Sequence, residues 1–522
     1  MDRRESLWIP VEQMAEYLLA HDLGTSGNKG TLYTPQGQLV ANFTCSYPTN
    51  YSNSNWAEQN PEDWWRAICE STRQLLERAA VNPSEIAVVA LSGQMMGCTP
   101  VDSEGNALRP SMLYCDQRAT EQADRILSRI SLADFYRITG HRVSASYTLE
   151  KLMWIRDHEP EIYAHTAKTL CAKDYINYQL TGRMATDFSD ASGTNAFDLN
   201  CFQWSDEILE LTGVERSLFP EPMESSAILG AVTARAASQT GLKEGTPVAV
   251  GGGDGSCAGV GVGCIRPGSA YNYLGSSSWI ALTVKEPIVD PAMRTMNWAH
   301  CVPGYLHPSG TMQTAGAAHK WIKETLCAKE ELEAARSGRD AYELLDEAIG
   351  SVPAGSRGVF FLPYLLGERT PWWNPTARAA FVGMTLATSR EEMLRAALEG
   401  VSMNLGLILN IFRNHVPIDA VTMIGGGARS GVWRQMLADV FNCPVRPLNF
   451  LEEATSMGAA VIGGVAVGLF PSFDVIDRFV RVEQEALPRA EQSAVYARLM
   501  PVFEKAYKSL VDVYADMARL KA

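Results

Sequence analysis

Apolar positions near the start of the chain fall into short, strand-length runs separated by tight polar turns. Tyr17 to Asp22 is an apolar run closed by an acid, Gly24-Thr25-Ser26-Gly27-Asn28 follows as a tight loop, and Lys29 to Tyr33 is a second run. Pro35, Gln36 and Gly37 then turn the chain into a third run from Leu39 to Phe43, so the pattern predicts a three-stranded meander whose first hairpin has a small, hydroxyl-rich tip. Helical spacing follows. Asn60 and Pro61 have the chemistry of an N-cap and first helical residue, and Trp64, Ile68, Leu75, Leu76 and Ala79 fall near one face of the helix they would start. Ile86 to Leu91 reads as a strand that ends in the loop Ser92-Gly93-Gln94-Met95-Met96-Gly97.

Between about 120 and 240 charge and helix formers increase, and the many short segments resist placement. Residues 247–253, PVAVGGG, read as a strand entering a glycine loop, with Asp254 at its exit. A second hairpin signal, YNYLGSSSWIALTV, begins just after Ala270, and VTMIGGGARS at 421–430 again runs from strand into glycine loop. The helix after it places Trp433, Met436, Leu437, Val440 and Phe441 on one face. Each half thus holds a strand–Gly/Ser/Thr–strand hairpin and, later, a strand ending in glycines, which suggests an internal duplication. GVGCIRPG at 261–268 separates the two, so domains of 1–265 and 266–522 are expected.

A chain of 522 residues exceeds what one core usually supports, in keeping with two domains. Its 45 basic and 59 acidic residues give a formal charge of −14, which argues against nucleic acid or an anionic membrane as partner. Eleven cysteines, none in a CxxC pair, fit a reducing cytoplasm better than a disulfide framework. The opening residues lack the apolar stretch of a signal peptide. The longest apolar run, Met457 to Phe470, is too short for a bilayer, which needs roughly 20 residues, and reads as a buried helix.

Polyphosphate binding calls for converging backbone N–H groups, hydroxyls and a cation. The segment from Asp22 to Lys29 offers all of these: Gly24 and Gly27 for close approach, Thr25 and Ser26 for hydroxyls, Lys29 for charge, and Asp22 for Mg²⁺. A polar hairpin tip with no ligand has the same composition. The second loop, at Gly275 and Ser276, favours the phosphate reading, since two such hairpins can clamp a triphosphate from opposite sides. Gly426, Gly427 and Ala428 offer a surface free of long side chains to adenine or ribose, or serve only the turn before a helix capped by Ser430. Asp254, between glycines, can take the proton of a substrate hydroxyl during phosphoryl transfer, or can cap the following helix. Neither a Walker loop nor a zinc-ligand spacing is present.

In order along the chain, DLGTSGNK at 22–29, NWAEQNPEDWW at 55–65, SGQMMG at 92–97, DQRA at 116–119, GGGDG at 251–255, LGSSSW at 274–279, FLPYLLGERTPWWNP at 361–375 and GGGARSGVWRQMLADV at 425–440 resemble the FGGY family of carbohydrate kinases, with most similarity to its xylulokinase branch. The resemblance implies an α/β fold of two ribonuclease-H-like domains of actin and hexokinase type around a deep cleft, with sugar mainly on the first and ATP mainly on the second. It also implies that Asp254 is the general base, that the loops at Asp22 and Gly275 face the phosphates, and that Gly426, Gly427 and Ala428 line the adenosine site. Met95, Met96, Asp254 and Gly255 are then the sugar contacts, Mg²⁺ accompanies ATP as co-substrate, and a homodimer is compatible. Met96 and Gly255 depart from the branch, which usually has His and Asn there, so two polar partners of a ketose are missing. The alternatives are an actin-like ATPase, which would turn over ATP without sugar, and a catalytically silent sugar sensor.

Overall fold

The computed structural model describes residues 17–520, with 54 and 451 excepted; the opening stretch read against a signal peptide lies mostly outside the described residues. Strands β1 (Tyr17–Leu23), β2 (Gly27–Tyr33) and β3 (Leu39–Ser46) form the expected meander, with Asp22 opposite Lys29. Helix α1 (Pro61–Ala79) follows, and β4 (Ile86–Gly93) returns parallel to β1, with Leu23 beside Gly93. The stretch that the sequence left open is mainly helical, including α2 (Thr148–His158), α3 (Ala172–Thr181) and α4 (Phe188–Ser192). Strands β5 (Ile228–Ala231), β6 (Pro247–Ala249) and β7 (Gly252–Gly253) complete the sheet in the order β5-β6-β4-β1-β2-β3, with β7 also on β4. The run PVAVGGG is therefore not one strand. At Gly251 φ is +75°, and an added Cβ would lie 2.1 Å from the Leu91 carbonyl oxygen, so the backbone turns there between β6 and β7. Helix α5 (Asp254–Gly261) begins at once.

Alternation along β1 explains how both faces of this sheet are covered. Leu19 and Leu23 point with Leu32, Val89 and Leu91 toward Trp64, Ile68 and Leu75 of α1. Leu18 and Ala20 point the other way with Val88 and Ala90. Helix α1 starts as its sequence predicts, the Asn60 side chain accepting from Glu62 N–H and Pro61 in the first turn.

The second half repeats the plan. Strands β8 (Ala270–Leu274) and β9 (Ser278–Leu282) form the second hairpin; β10 (Met296–Ala299) and β11 (Leu306–Met312) extend it. After α6 (Gly316–Leu326) and α7 (Arg390–Arg413), β12 (Val421–Ile424) runs parallel to β8, α8 (Gly431–Phe441) follows, and β13 (Val445–Pro447) adds to the edge. The order β10-β11-β9-β8-β12-β13 matches a meander, a central strand and parallel partners, as in the first sheet. Helix α9 (Ala454–Ala466) is the expected buried apolar helix, though it stops before Phe470 because Gly468 turns with φ +72°.

The halves are tied by an exchange of helices. Helix α9, late in the chain, lays Met457, Ala460 and Val461 on Leu18, Ala20, Val88 and Ala90 of the first sheet. Helix α5 and the residue that follows it place Ala258 and Val262 against Tyr271, Ala281 and Ile424 of the second. The two helices touch backbone to backbone: a Cβ on Gly458 would fall 1.9 Å from the Cys257 carbonyl oxygen, and one on Gly261 would fall 1.8 Å from that of Ala454. A methyl group cannot be absorbed by a side-chain shift there. Gly458→Ala is expected to destabilise the protein by at least about 2 kcal/mol, read as a fall in the denaturation midpoint, with loss of activity because α5 carries Asp254.

Candidate functional site

Three parallel strands of the first sheet, β1, β4 and β7, end side by side, and their carboxyl ends carry Asp22, the 92–97 loop and Asp254. In the second sheet β8 and β12 run parallel and end at the Gly275 and Gly425 loops. Loops at the carboxyl ends of parallel strands are where open α/β sheets bind ligands.

Asp254 is the first residue of α5 rather than its cap; the cap position is Gly253. Its Oδ1 accepts from Gly255 N–H at 2.7 Å. The turn is held from both sides. The Ser189 hydroxyl accepts from Gly253 N–H at 2.8 Å and donates to Asp187 at 2.5 Å, and Tyr271 donates to the Gly255 carbonyl at 3.0 Å. Asp187 in turn lies 3.3 Å from the buried ammonium of Lys173, which Asp174 and Asp190 also contact. Asp22 accepts from the Ser92 hydroxyl at 3.1 Å. Burial pushes the Asp254 carboxyl up to about 7, aided by the nearby negative charge of Asp22. Burial likewise raises Asp22 to about 6, opposed by the Ser92 hydrogen bond and the charge of Lys29. Two buried carboxylates whose charged forms are disfavoured, one of them further by the charge of the other, offer hard oxygens suited to a divalent cation.

The Asp22 hairpin is rigidly supported. Gly24 N–H closes the turn on Gly27, Tyr47 donates to the Gly24 carbonyl at 2.5 Å, and Gln59 donates to that of Thr25 at 2.6 Å. Gln59 is fixed by Trp64 and Gln94, each donating at 2.9 Å. The N–H of Gly24 is thus spent, as is that of Gly275, which donates to Ser277. Thr25, Ser26, Ser276 and Ser277 instead present N–H groups without a partner among the described residues. Lys29 does not lie free at the loop: its ammonium is 3.5 Å from Glu453 and donates to the Glu452 carbonyl at 3.2 Å, across the two halves. His21, as its strand position implied, is buried between Asn28 and Thr72.

On the other side, Gly425 and Gly427 lie flat on Leu274, where an added Cβ would meet the Leu274 carbonyl oxygen at 2.7 Å and its side chain at 2.5 Å. Gly426 faces open space, Ala428 is buried, and Ser430 caps α8 by accepting from Trp433 N–H. The Gly275 and Ser276 carbonyls are gripped by N–H groups of Gly316, Ala315 and Ala317 at the start of α6.

Met95 packs on Gly253, whose missing side chain makes the room: a Cβ would lie 2.6 Å from the Met95 sulfur. Met95, Tyr147, Met296 and Trp298 form one apolar cluster, with Met96 and Trp373 against it. Met96 and Trp373 have left-handed backbone, φ +65° and +50°. Beside Asp254, Gly255 has nothing within 4 Å of where a Cβ would be. The 55–65 and 116–119 motifs lie behind this wall as scaffold, Arg118 bridging Asp116 and Glu58 at 2.6 and 2.7 Å and stacking on Trp56. Sequence reasoning missed Ser189, Tyr271, Tyr147, Trp298 and Trp373. The last lies in a motif whose residues were given no role, and the others meet the site only through tertiary packing.

Duplicated α/β halves, a hydroxyl-bearing hairpin at each sheet end and a carboxylate pair define an ATP-dependent phosphotransferase of the actin and hexokinase type. A family model described as the FGGY family of carbohydrate kinases, N-terminal domain, matches residues 17–261, and the corresponding C-terminal domain matches 270–467. Xylulose kinase of Bacillus subtilis (strain 168) is 31% identical over 95% of this chain and 98% of its own. Gluconokinase of the same organism is 30% identical over 97% and 98%. The crystal structure of ligand-bound xylulose kinase from Lactobacillus acidophilus superposes with a TM-score of 0.89 at 26% identity, covering 96% of this chain and 99% of that one. The chain belongs to the FGGY family of carbohydrate kinases and is an ATP-dependent sugar kinase. Family members use ATP, normally with Mg²⁺. Among the described residues no helix is long and apolar enough to cross a membrane.

Because Asp254 titrates near 7 against an ordinary value of 3.8, the ligand-free protein holds that proton more tightly when folded. Stability tied to it is present below about pH 4 and is lost as pH rises through about 7. Asp22→Asn removes a cause of the shift, so Asp254 is expected to titrate lower, and the ligand-free variant to melt higher than the parent at pH 8 but not at pH 4. Carboxyl-carbon NMR titration and thermal melts check both.

Proposed function

We propose that the protein transfers the γ-phosphoryl group of ATP to a hydroxyl of a small sugar or sugar derivative held against Met95, Met96, Tyr147 and Trp298, with Asp254 as general base. The observation that carries this is the placement of Asp254 and Asp22 at the ends of β7 and β1, the strands on either side of β4, with the first turn of α5 hydrogen-bonded from both halves. Asp254 takes the hydroxyl proton, the oxygen attacks the γ-phosphorus in line, and the bond to the β–γ bridging oxygen breaks to release ADP. The N–H and hydroxyl groups of Thr25, Ser26 and Ser276 bind phosphate oxygens, and Gly426, Gly427 and Ala428 support the adenosine. Asp22 is the residue to hold Mg²⁺, directly or through water, and the ion when bound neutralises phosphate charge. Lys29 contributes through its charge on Asp22 and, on closure of the cleft, at the phosphates. The boundary between the sugar half and the nucleotide half is drawn at 265/266.

Relatives named for xylulose and for gluconate are about equally similar, so similarity alone does not choose the sugar. Met96 and the empty position at Gly255 both lack the polar side chain that a neutral ketose would engage.

ADP release with MgATP, measured against ketoses, polyols and sugar acids with a control lacking sugar, tests the reading. Stimulation by a sugar is expected, and turnover independent of sugar would refute it. Asp254→Asn is expected to lower kcat by about 10²–10⁴-fold with ATP still bound. Gly255→Asn is expected to fold with unchanged Tm, since its side chain enters open space, and to alter the order of preference among sugars.

A further inference from the structure

We propose that Trp279 is a positioning residue for phosphoryl transfer, its indole aligning the nucleotide hairpin of the second half with the turn that carries Asp254. The proposal rests on the kinase reading above and adds to it a side chain outside the reacting groups.

Strand alternation brings the parts together. Tyr271 and Tyr273, two residues apart, share one face of β8, and Trp279 of β9 stands opposite Tyr273 in the antiparallel register. On the same face lies Ala258 of α5, the helix that Asp254 begins. Tyr271 is buried, and Tyr273 and Trp279, nearer the hairpin tip, are half-buried. The Tyr273 and Trp279 rings stack with centroids 4.1 Å apart and planes 17° from parallel. Tyr273 in turn covers Gly275, where an added Cβ would lie 2.5 Å from its ring. Next to Gly275 stands Ser276, whose N–H group is without a partner among the described residues.

The other edge of the indole reaches the turn at Asp254. Its Nε1–H donates to the Tyr271 hydroxyl at 3.0 Å, and that hydroxyl donates to the Gly255 carbonyl at 3.0 Å. An indole can only donate, so the hydroxyl accepts from it and its single proton is left for Gly255. Donors in series polarise one another and strengthen both bonds. His307 stacks on Tyr271, but its Nε2 stands 3.5 Å from the hydroxyl, farther than either bonded partner. Packing against α5 would need only the ring. The N–H is spent instead on the hydroxyl that holds the Asp254 turn from the second half, while the ring holds Tyr273 over Gly275. One side chain therefore sets the place of the phosphate hairpin and of the general base relative to each other.

The test is steady-state kinetics of the full-length protein with the sugar of the panel above that the parent phosphorylates fastest, together with calorimetric titration by MgADP, which needs no sugar. Tyr271→Phe removes the hydroxyl, and Trp279→Phe removes the N–H while keeping a ring on Tyr273. Each is expected to lower kcat about three- to tenfold, with MgADP affinity and KM for ATP kept. The double variant is expected to lose less than the product of the two, because both act on one chain of bonds. Trp279→Leu, which removes the stack as well, is expected in addition to weaken MgADP binding at least about threefold. A role in folding alone would lower Tm in all three without separating kcat from nucleotide affinity, and that result would overturn the proposal. So would a Trp279→Phe protein with the parent's kcat, single losses that multiply in the double variant, or a Trp279→Leu protein that binds MgADP as the parent does. Failure of the kinase reading would show separately, in the parent, as no phosphate transfer to any sugar of the panel.

Discussion

The crossing of α5 and α9 is the contact on which the rest of the structure depends. Gly261 and Gly458 let the two helices meet with no side chain between them, so each can lie against the sheet of the opposite half. That crossing sets where α5 begins, and therefore where Asp254 stands relative to Asp22. The hydrogen bonds at Gly253 and Gly255 then fix the turn from one half each, so the orientation of the carboxylate is shared between the two sheets.

Electrostatics sets the strand-end corner of the cleft apart. At the strand ends, burial favours the protonated forms of Asp22 and Asp254, and a bound cation would favour the ionised forms, including the carboxylate able to accept a proton.

Much of this was legible in the chain because it is local. The two hairpins, the helix cap at Asn60, the strand leading to Ser92 and the glycine loops before α8 are written in neighbouring residues, and the structure places them as read. What escaped was non-local. Nothing near Ser189 shows that its hydroxyl holds Gly253, and Tyr271 reaches Gly255 only after two halves have come together. Gly24 was read as allowing close approach and Gly275 as marking a loop that faces the phosphates; that the amide of each closes its own hairpin does not show in the sequence. Lys29 was read as bringing charge to the loop before its strand, without the distant Glu453 that engages it.

The exchange of α5 and α9 bears on synthesis as well as on architecture. One face of the first sheet is covered only in part, by Cys257 and Val260 of α5, until the ribosome has made the helix Ala454–Ala466, although the strands themselves are finished far earlier. A nascent chain holding only the first half exposes Leu18, Ala20, Val88 and Ala90. Folding of that half is thus completed by a segment translated long after its strands, and the growing polypeptide must be kept from associating with others in the meantime.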